Sequence, residues 1–257
     1  MVERIGASFS DPSVVENYTF RPPYPPEVYN KLLAICSHHN CLLDLGCGPG
    51  KISRPLSRYF KNIIAIDPSE AMIDLAHTME GGRSTNIQWI AGLAEDYEGS
   101  DNSLDLIVAA ASIHWMEHYR LFPRLKSFAS ASHKIAIVEG DTPFKPAWAA
   151  DWKLFLAKWV PIVTGKEFDH DRKQEMRSQY QSYLNLEGTE FFISEPIKQD
   201  VGDFIRCQHS RDTFAPSRLG DDLRRFDAEL LEILSPHADD LMLQFSVGSE
   251  VVWGTIK

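Results

Sequence analysis

Apolar residues along this chain alternate between two periods. Short β-prone runs stand at residues 41–45, 62–67, 86–90, 104–109 and 135–139. Between them, apolar side chains recur three and four apart, as in Ile52, Leu56 and Tyr59, or Met72, Leu75, Ala76 and Met79, or Leu125, Phe128 and Ala129. A helical stripe over 27–37 (Val28, Leu32, Leu33, Ile35) leads into the first run, and Ser69 stands where an N-cap belongs. Strand and helix periods in alternation predict a doubly wound α/β sheet with right-handed crossovers.

After the fifth run the pattern changes. Trp148, Trp152, Phe155, Leu156, Trp159 and Val160 recur at helical spacing, punctuated by Pro143, Pro146 and Pro161. We read residues 142–188 as a helical insertion placed as a lid, its aromatics either lining a pocket or packing. Beyond it we expect a strand over 191–197 and helices over 203–209 and 221–234, the latter with Leu223, Phe226, Leu230, Leu231 and Leu234 on one face. Runs at 241–247 and 251–256, joined by Gly248 and Ser249, predict a closing hairpin. Ahead of the first strand, residues 1–26 carry Phe9, Tyr18, Phe20 and the sequence Arg21-Pro-Pro-Tyr-Pro-Pro. Proline at this density favours extended backbone, and three aromatics are too many for a solvated tail, so this arm is expected to pack over the functional site. The whole, 1–257, reads as one domain.

The first strand feeds glycines at 46, 48 and 50, and the second ends in Asp67. Glycine lets a chain turn tightly and a ligand approach the backbone, and a following helix start offers free N–H groups. An acid at the next strand's tip can accept both hydrogen bonds of a ribose cis-diol. A nucleoside cofactor follows as the first expectation. The dinucleotide spacing G-x-G-x-x-G is not met, because the sixth place from Gly46 is Lys51. That argues against NAD.

Composition narrows the choice further. With 257 residues, 44% of them hydrophobic, the chain can bury its own core. A net charge of −10 disfavours nucleic acid as a partner. Cysteines 36, 41, 47 and 207 form no C-x-x-C, so neither zinc nor a disulfide framework is indicated, and no other metal-ligand constellation stands out. With no membrane-length apolar run and no signal-type N-terminus, we expect a cytoplasmic protein without membrane contact.

Asp44, Gly46, Gly48 and Gly50 spell D-x-G-x-G-x-G and, with Asp67, resemble the first motif of class I S-adenosylmethionine-dependent methyltransferases. The leader from Tyr18 to Pro25 is similar to Tyr-x-x-x-Arg-Pro-x-Tyr-Pro, one residue shorter, and His114-Trp115 also matches. Both resemble the type 11, trans-aconitate-methyltransferase-like branch that acts on small molecules. The resemblance implies a Rossmann-like seven-stranded sheet ending in an antiparallel hairpin, with S-adenosylmethionine as cofactor. It further implies cofactor contacts from Tyr18, Arg21, Asp44, Gly46, Gly48, Gly50, Asp67, Met72, Leu93, Ala94, Glu95 and Ala110. Tyr24 and Trp115 would meet the substrate, and His114, with an imidazole reference value near pH 6.5, would act as base.

Each assignment has a plainer counterpart. Arg21 and Tyr24 can simply tie down the arm, Met72 can be core, Glu95 a solvated acid, and His114 a partner of the backbone beside a packed Trp115. The expected reaction is methyl transfer to a carboxylic acid or hydroxyl of a small molecule. Its rivals are a catalytically degenerate fold that binds cofactor or a partner, and a protein or RNA methyltransferase.

Overall fold

In a computed structural model of the chain, residues 7–169 and 172–257 are described. The elements in chain order are α1 (Pro12–Asn17), α2 (Pro26–Ile35), β1 (Cys41–Leu45), α3 (Ser53–Leu56), β2 (Asn62–Asp67), α4 (Glu70–Thr78), β3 (Ile87–Ala91) and β4 (Leu104–Ala110). There follow α5 (His118–Phe128), β5 (Ala129–Pro143), α6 (Ala149–Thr164), α7 (Arg172–Gln181), β6 (Leu184–Ile193), β7 (Ile197–Asp200), α8 (Val201–His209), α9 (Pro216–Leu219), α10 (Leu223–Leu234), β8 (Met242–Phe245) and β9 (Val247–Ile256).

Seven strands make one sheet in the order β3-β2-β1-β4-β5-β9-β6. β1 pairs in parallel with both β2 and β4, so strand order reverses at β1. In such sheets the crevice at the carboxyl ends beside the reversal is where ligands bind. The expected α/β class and antiparallel C-terminal pairing are both present, but the pairing uses other residues. β8 pairs with β7 in a separate two-stranded sheet, while β9 starts at Val247 and continues through Gly248 and Ser249 into the large sheet. A turn-type dipeptide inside a strand reflects tight packing: Ser249 is fully buried and its Oγ donates to the Gly140 carbonyl.

The chain forms two compact units. One comprises Tyr24–Gly140, Arg172–Phe192 and Ser249–Lys257, the other the remaining chain. In the first, alternate residues of β1 divide the core, Leu43 and Leu45 packing on one face with Leu121, Phe122 and Ile137, and Leu42 on the other with Val28, Leu32 and Ile63. All five residues of β1 are buried, as in a parallel strand covered on both faces. α3 spans only four residues, shorter than the stripe ending at Tyr59 suggests, and Tyr59 is 48% exposed. Pro55 has no N–H to return to the Lys51 carbonyl, which instead accepts from the Tyr29 hydroxyl.

The second unit has its own aromatic core. Trp148, Phe155 and Trp159 of the predicted insertion are buried against Phe204, Phe214, Phe226 and Phe245. Those aromatics therefore pack on one another. The N-terminal arm is partly helical: Asp11 caps α1 by accepting from the Ser13 N–H, and extended backbone begins only at Arg21.

Candidate active site

The glycine loop leaves β1 on left-handed backbone, with φ of 62°, 51° and 80° at Gly46, Gly48 and Gly50. Two of these glycines are required by the protein itself. A Cβ on Gly46 would lie 2.6 Å from the Ser112 Cβ, and one on Gly50 would run into the Trp89 ring. The loop N–H groups also point to internal partners. Cys47 donates to the Ile66 carbonyl, Gly48 to Asp67 Oδ2 at 2.8 Å, Gly50 to the Cys47 carbonyl and Ser53 to Asp44 Oδ2. The turn is thus braced on β2 through the Cys47 and Gly48 N–H groups.

Asp44 and Asp67 flank this turn. Asp44 is 1% exposed; Ser53 Oγ and N–H both donate to its Oδ2, while its Oδ1 has no partner among the described residues. Burial pushes the Asp44 carboxyl up to about 7, the Ser53 hydrogen bonds and nearby Asp67 being smaller influences. Asp67 sits at the carboxyl end of β2, with Oδ2 accepting from Gly48 and Oδ1 from the Ser69 N–H. Each oxygen keeps a second lone pair. Burial raises this carboxyl too, against the two backbone hydrogen bonds that lower it.

Around the same strand ends lie further expected residues. Ser69 caps α4 through the Met72 N–H, and Met72 is buried. Leu93 is half-buried, Ala94 buried, and Glu95 is no solvated acid: it is 7% exposed and its Oε1 accepts from the Glu117 N–H at 2.7 Å. That bond ties the loop after β3 to the start of α5. Past the half-buried Ala110, Ala111 takes φ 54°, a conformation costly for a residue with Cβ, fixed by its N–H bond to the Val138 carbonyl. Ser112 Oγ then donates to the Leu45 carbonyl at 2.5 Å. His114 and Trp115 follow in a short 3-10 turn, both half-buried, with ring centroids 4.5 Å apart. Tyr24 is buried under the Lys51 ammonium, 4.5 Å from its ring centroid.

Tyr18 and Arg21 belong to the other unit. There the Arg21 guanidinium lies 4.2 Å from the Tyr18 ring centroid, donates to Ser210 Oγ and to the Ser210 carbonyl, and pairs with Asp141. Arg211 shares that carboxylate.

Sequence reasoning missed Ser53, Trp89, Ser112 and Arg211. Ser53 lay nine residues from Asp44 with no motif to link them, and Trp89 read only as a strand residue. Among the described residues no group of three or more His, Cys, Asp or Glu is arranged to hold a metal, and no helix is long and apolar enough to cross a membrane. All four cysteines are buried thiols outside any disulfide.

Comparison with known proteins finds similarity over the stretch that carries these residues. Residues 42–131 match a family described as a methyltransferase domain. A probable S-adenosylmethionine-dependent methyltransferase of Saccharomyces cerevisiae is 35% identical over 111 residues, which is 42% of this chain and 38% of that protein. The trans-aconitate 2-methyltransferase of Escherichia fergusonii is 34% identical over 106 residues, 40% of either chain. The aligned part is thus less than half the length of these relatives. A structure provisionally described as a type II methyltransferase, from Anaeromyxobacter dehalogenans, superposes with a TM-score of 0.68 at 21% identity, covering 91% of this chain and 97% of that one, and so shares the fold. The matched domain starts inside β1, runs through the glycine loop and Asp67, and ends past His114, so it is this stretch of the chain that is similar to a methyltransferase domain.

Proposed function

We propose that this protein transfers a methyl group from S-adenosylmethionine to a small molecule bearing a carboxylic acid or a hydroxyl. The observation that carries the reading is Asp67, held at the tip of β2 by the Gly48 N–H with a free lone pair on each oxygen. The residues present fit the cofactor. A buried Asp44 oxygen without a partner among the described residues, next to a loop locked in left-handed backbone, is an acceptor awaiting a donor.

When bound, S-adenosylmethionine supplies a methyl group already activated by its sulfonium. The work left to the chain is to hold, orient and exclude water. Asp67 accepts the ribose diol, with the glycine turn at 46, 48 and 50 fixing its angle. Asp44 takes a donor of the cofactor's amino-acid end. Met72 packs on the adenine, while Leu93 and Ala94 offer backbone to the ring edge, with Glu95 holding their loop to Glu117. Ala110 closes the floor beside Ser112. His114 receives the proton of a hydroxyl acceptor, Trp115 and Tyr24 bound the acceptor, and Tyr18 and Arg21 serve a carboxylate. The relative from Escherichia fergusonii, named for trans-aconitate, supports an acidic acceptor. The net charge of −10 supports a small molecule over nucleic acid and fits a cytoplasmic enzyme.

Isothermal titration with S-adenosylmethionine, S-adenosylhomocysteine and NAD tests this. Both sulfur nucleosides are expected to bind the protein, NAD is not, and Asp67→Ala, which also leaves the Gly48 and Ser69 N–H groups without their acceptor, is expected to abolish binding and lower stability while still unfolding cooperatively. Silence from both nucleosides, or full affinity in the variant, overturns the reading.

A further inference from the structure

Charge is unbalanced at one buried point of the second unit. Among the described residues Asp141, 4% exposed, is the one carboxylate that pairs with both guanidiniums, with Arg21 Nη1 3.7 Å from Oδ2 and Arg211 Nη1 and Nη2 both 3.2 Å from Oδ1. Two positive charges against one negative leave a surplus of one. A buried charge without a counter-ion is expensive, and the two arginines are not equally placed to bear it.

Arg21 is largely satisfied. Its side chain is 7% exposed, it donates to Ser210 Oγ at 2.7 Å and to the Ser210 carbonyl at 2.5 Å, and that carbonyl lies at the C-terminal end of α8, the negative end of the helix dipole. Arg211 is less fully engaged. Both of its hydrogen bonds to Asp141 fall on one oxygen, and its side chain is 24% exposed. Ser210 and Arg211 are adjacent, so the bonds that anchor Arg21 also fix the backbone from which Arg211 projects. A guanidinium carries more N–H donors than one carboxylate oxygen can accept. The surplus therefore rests more on Arg211, a positioned and partly exposed fork whose bonds to Asp141 use one carboxylate oxygen.

We propose that Arg211, with Arg21 beside it, is a binding site for the carboxylate of a small molecule. A guanidinium edge matches a carboxylate with two parallel hydrogen bonds, and a single negative charge neutralises the surplus. A phosphate dianion would put both of its charges at the fork and leave the site net negative beside Asp141, whereas a di- or tricarboxylate places one unit charge there and keeps its other carboxylates outside it. The site rests on the proposed function in so far as Arg21 serves a carboxylate there, but its test needs neither cofactor nor turnover, so a failure here leaves methyl transfer standing.

The experiment is isothermal titration of the full chain with succinate, citrate and inorganic phosphate at one fixed ionic strength. It compares the parent protein with Arg211→Gln and Arg211→Lys, each checked for folding by its melt. We expect succinate and citrate to bind more tightly than phosphate. Arg211→Gln should weaken them about tenfold or more, the loss of a charged hydrogen-bonded pair. Arg211→Lys keeps the charge without the fork and should fall between the two; it decides the matter should the glutamine variant not fold. No binding of either acid by the parent protein, affinity unchanged in a folded Arg211 variant, or phosphate binding more tightly than succinate each overturns the assignment.

Discussion

Ser112 stands where a side chain on Gly46 would have to be: its Cβ is 2.6 Å from that position, and its Oγ donates to the carbonyl of Leu45. The loops leaving β1 and β4 are thereby fastened at the point where strand order reverses. Gly46→Ala meets both this clash and a φ of 62°, and should destabilise the protein by about 2–4 kcal/mol. Ser112→Gly removes the obstruction, and with it the bond to Leu45. The double variant should recover part of the Gly46→Ala loss, a coupling of about 1 kcal/mol or more in urea unfolding. Strict additivity would show that the two loops are not locked by this contact.

That contact marks the limit of what the sequence discloses. Asp44, the three glycines and Asp67 were legible because a strand tip, a turn and a second strand tip lie within 24 residues and constrain one another locally. Partners supplied from elsewhere were not legible: Ser112 for Gly46, Trp89 for Gly50, Glu117 for Glu95, Arg211 for Arg21. The closing antiparallel pairing is present, but the residues over 241–256 take other partners for the same reason. Gly248 and Ser249 have turn chemistry, but a long-range bond from Ser249 to Gly140 and the burial of Val251 and Val252 outweigh it. In the insertion the period of the aromatics correctly announced a helix, whereas only the fold shows that α6 buries them against α8 and α10.

Asp44 makes stability depend on pH. Its carboxyl is raised from 3.8 to about 7, so between these values the folded protein retains a proton that the unfolded chain has released. The contribution is complete below 3.8 and is lost as pH rises toward 7, with a slope of at most about 1.4 kcal/mol per unit. An asparagine at this position would still accept from Ser53 but cannot ionise. Denaturant midpoints of Asp44→Asn should therefore gain on the parent protein as pH rises through this window. Parallel profiles would show that Asp44 ionises in the folded state at an ordinary pH.

His133 acts with the opposite sign. Its Nδ1 donates to the Ser130 carbonyl, leaving Nε2 to accept from the Ile256 N–H at 3.0 Å, which only the neutral ring can do. Burial lowers its titration from 6.5, the Ser130 bond resisting. Below 6.5 the unfolded chain takes up a proton that the folded one refuses, so this contribution falls as pH falls. His133→Gln should flatten the acid limb while costing about 1 kcal/mol at neutral pH for the lost hydrogen bond. An unchanged acid limb in His133→Gln would remove His133 from this account.

His114 separates two kinds of methyl acceptor. A hydroxyl must lose a proton as it attacks, whereas a carboxylate is already ionised and needs no base. The half-buried ring, 4.5 Å from the Trp115 centroid, is held beside the strand end that carries Ala110. Under the proposed function, His114→Ala should slow turnover of a hydroxyl acceptor about a hundredfold or more, the usual contribution of a positioned base. Affinity for S-adenosylhomocysteine should change only a few-fold, and turnover of a carboxylate acceptor should be nearly unaffected. An equal loss on both acceptors would make His114 a residue that orients the substrate, with Trp115, and no proton acceptor. No loss on either would leave it supporting the turn after β4.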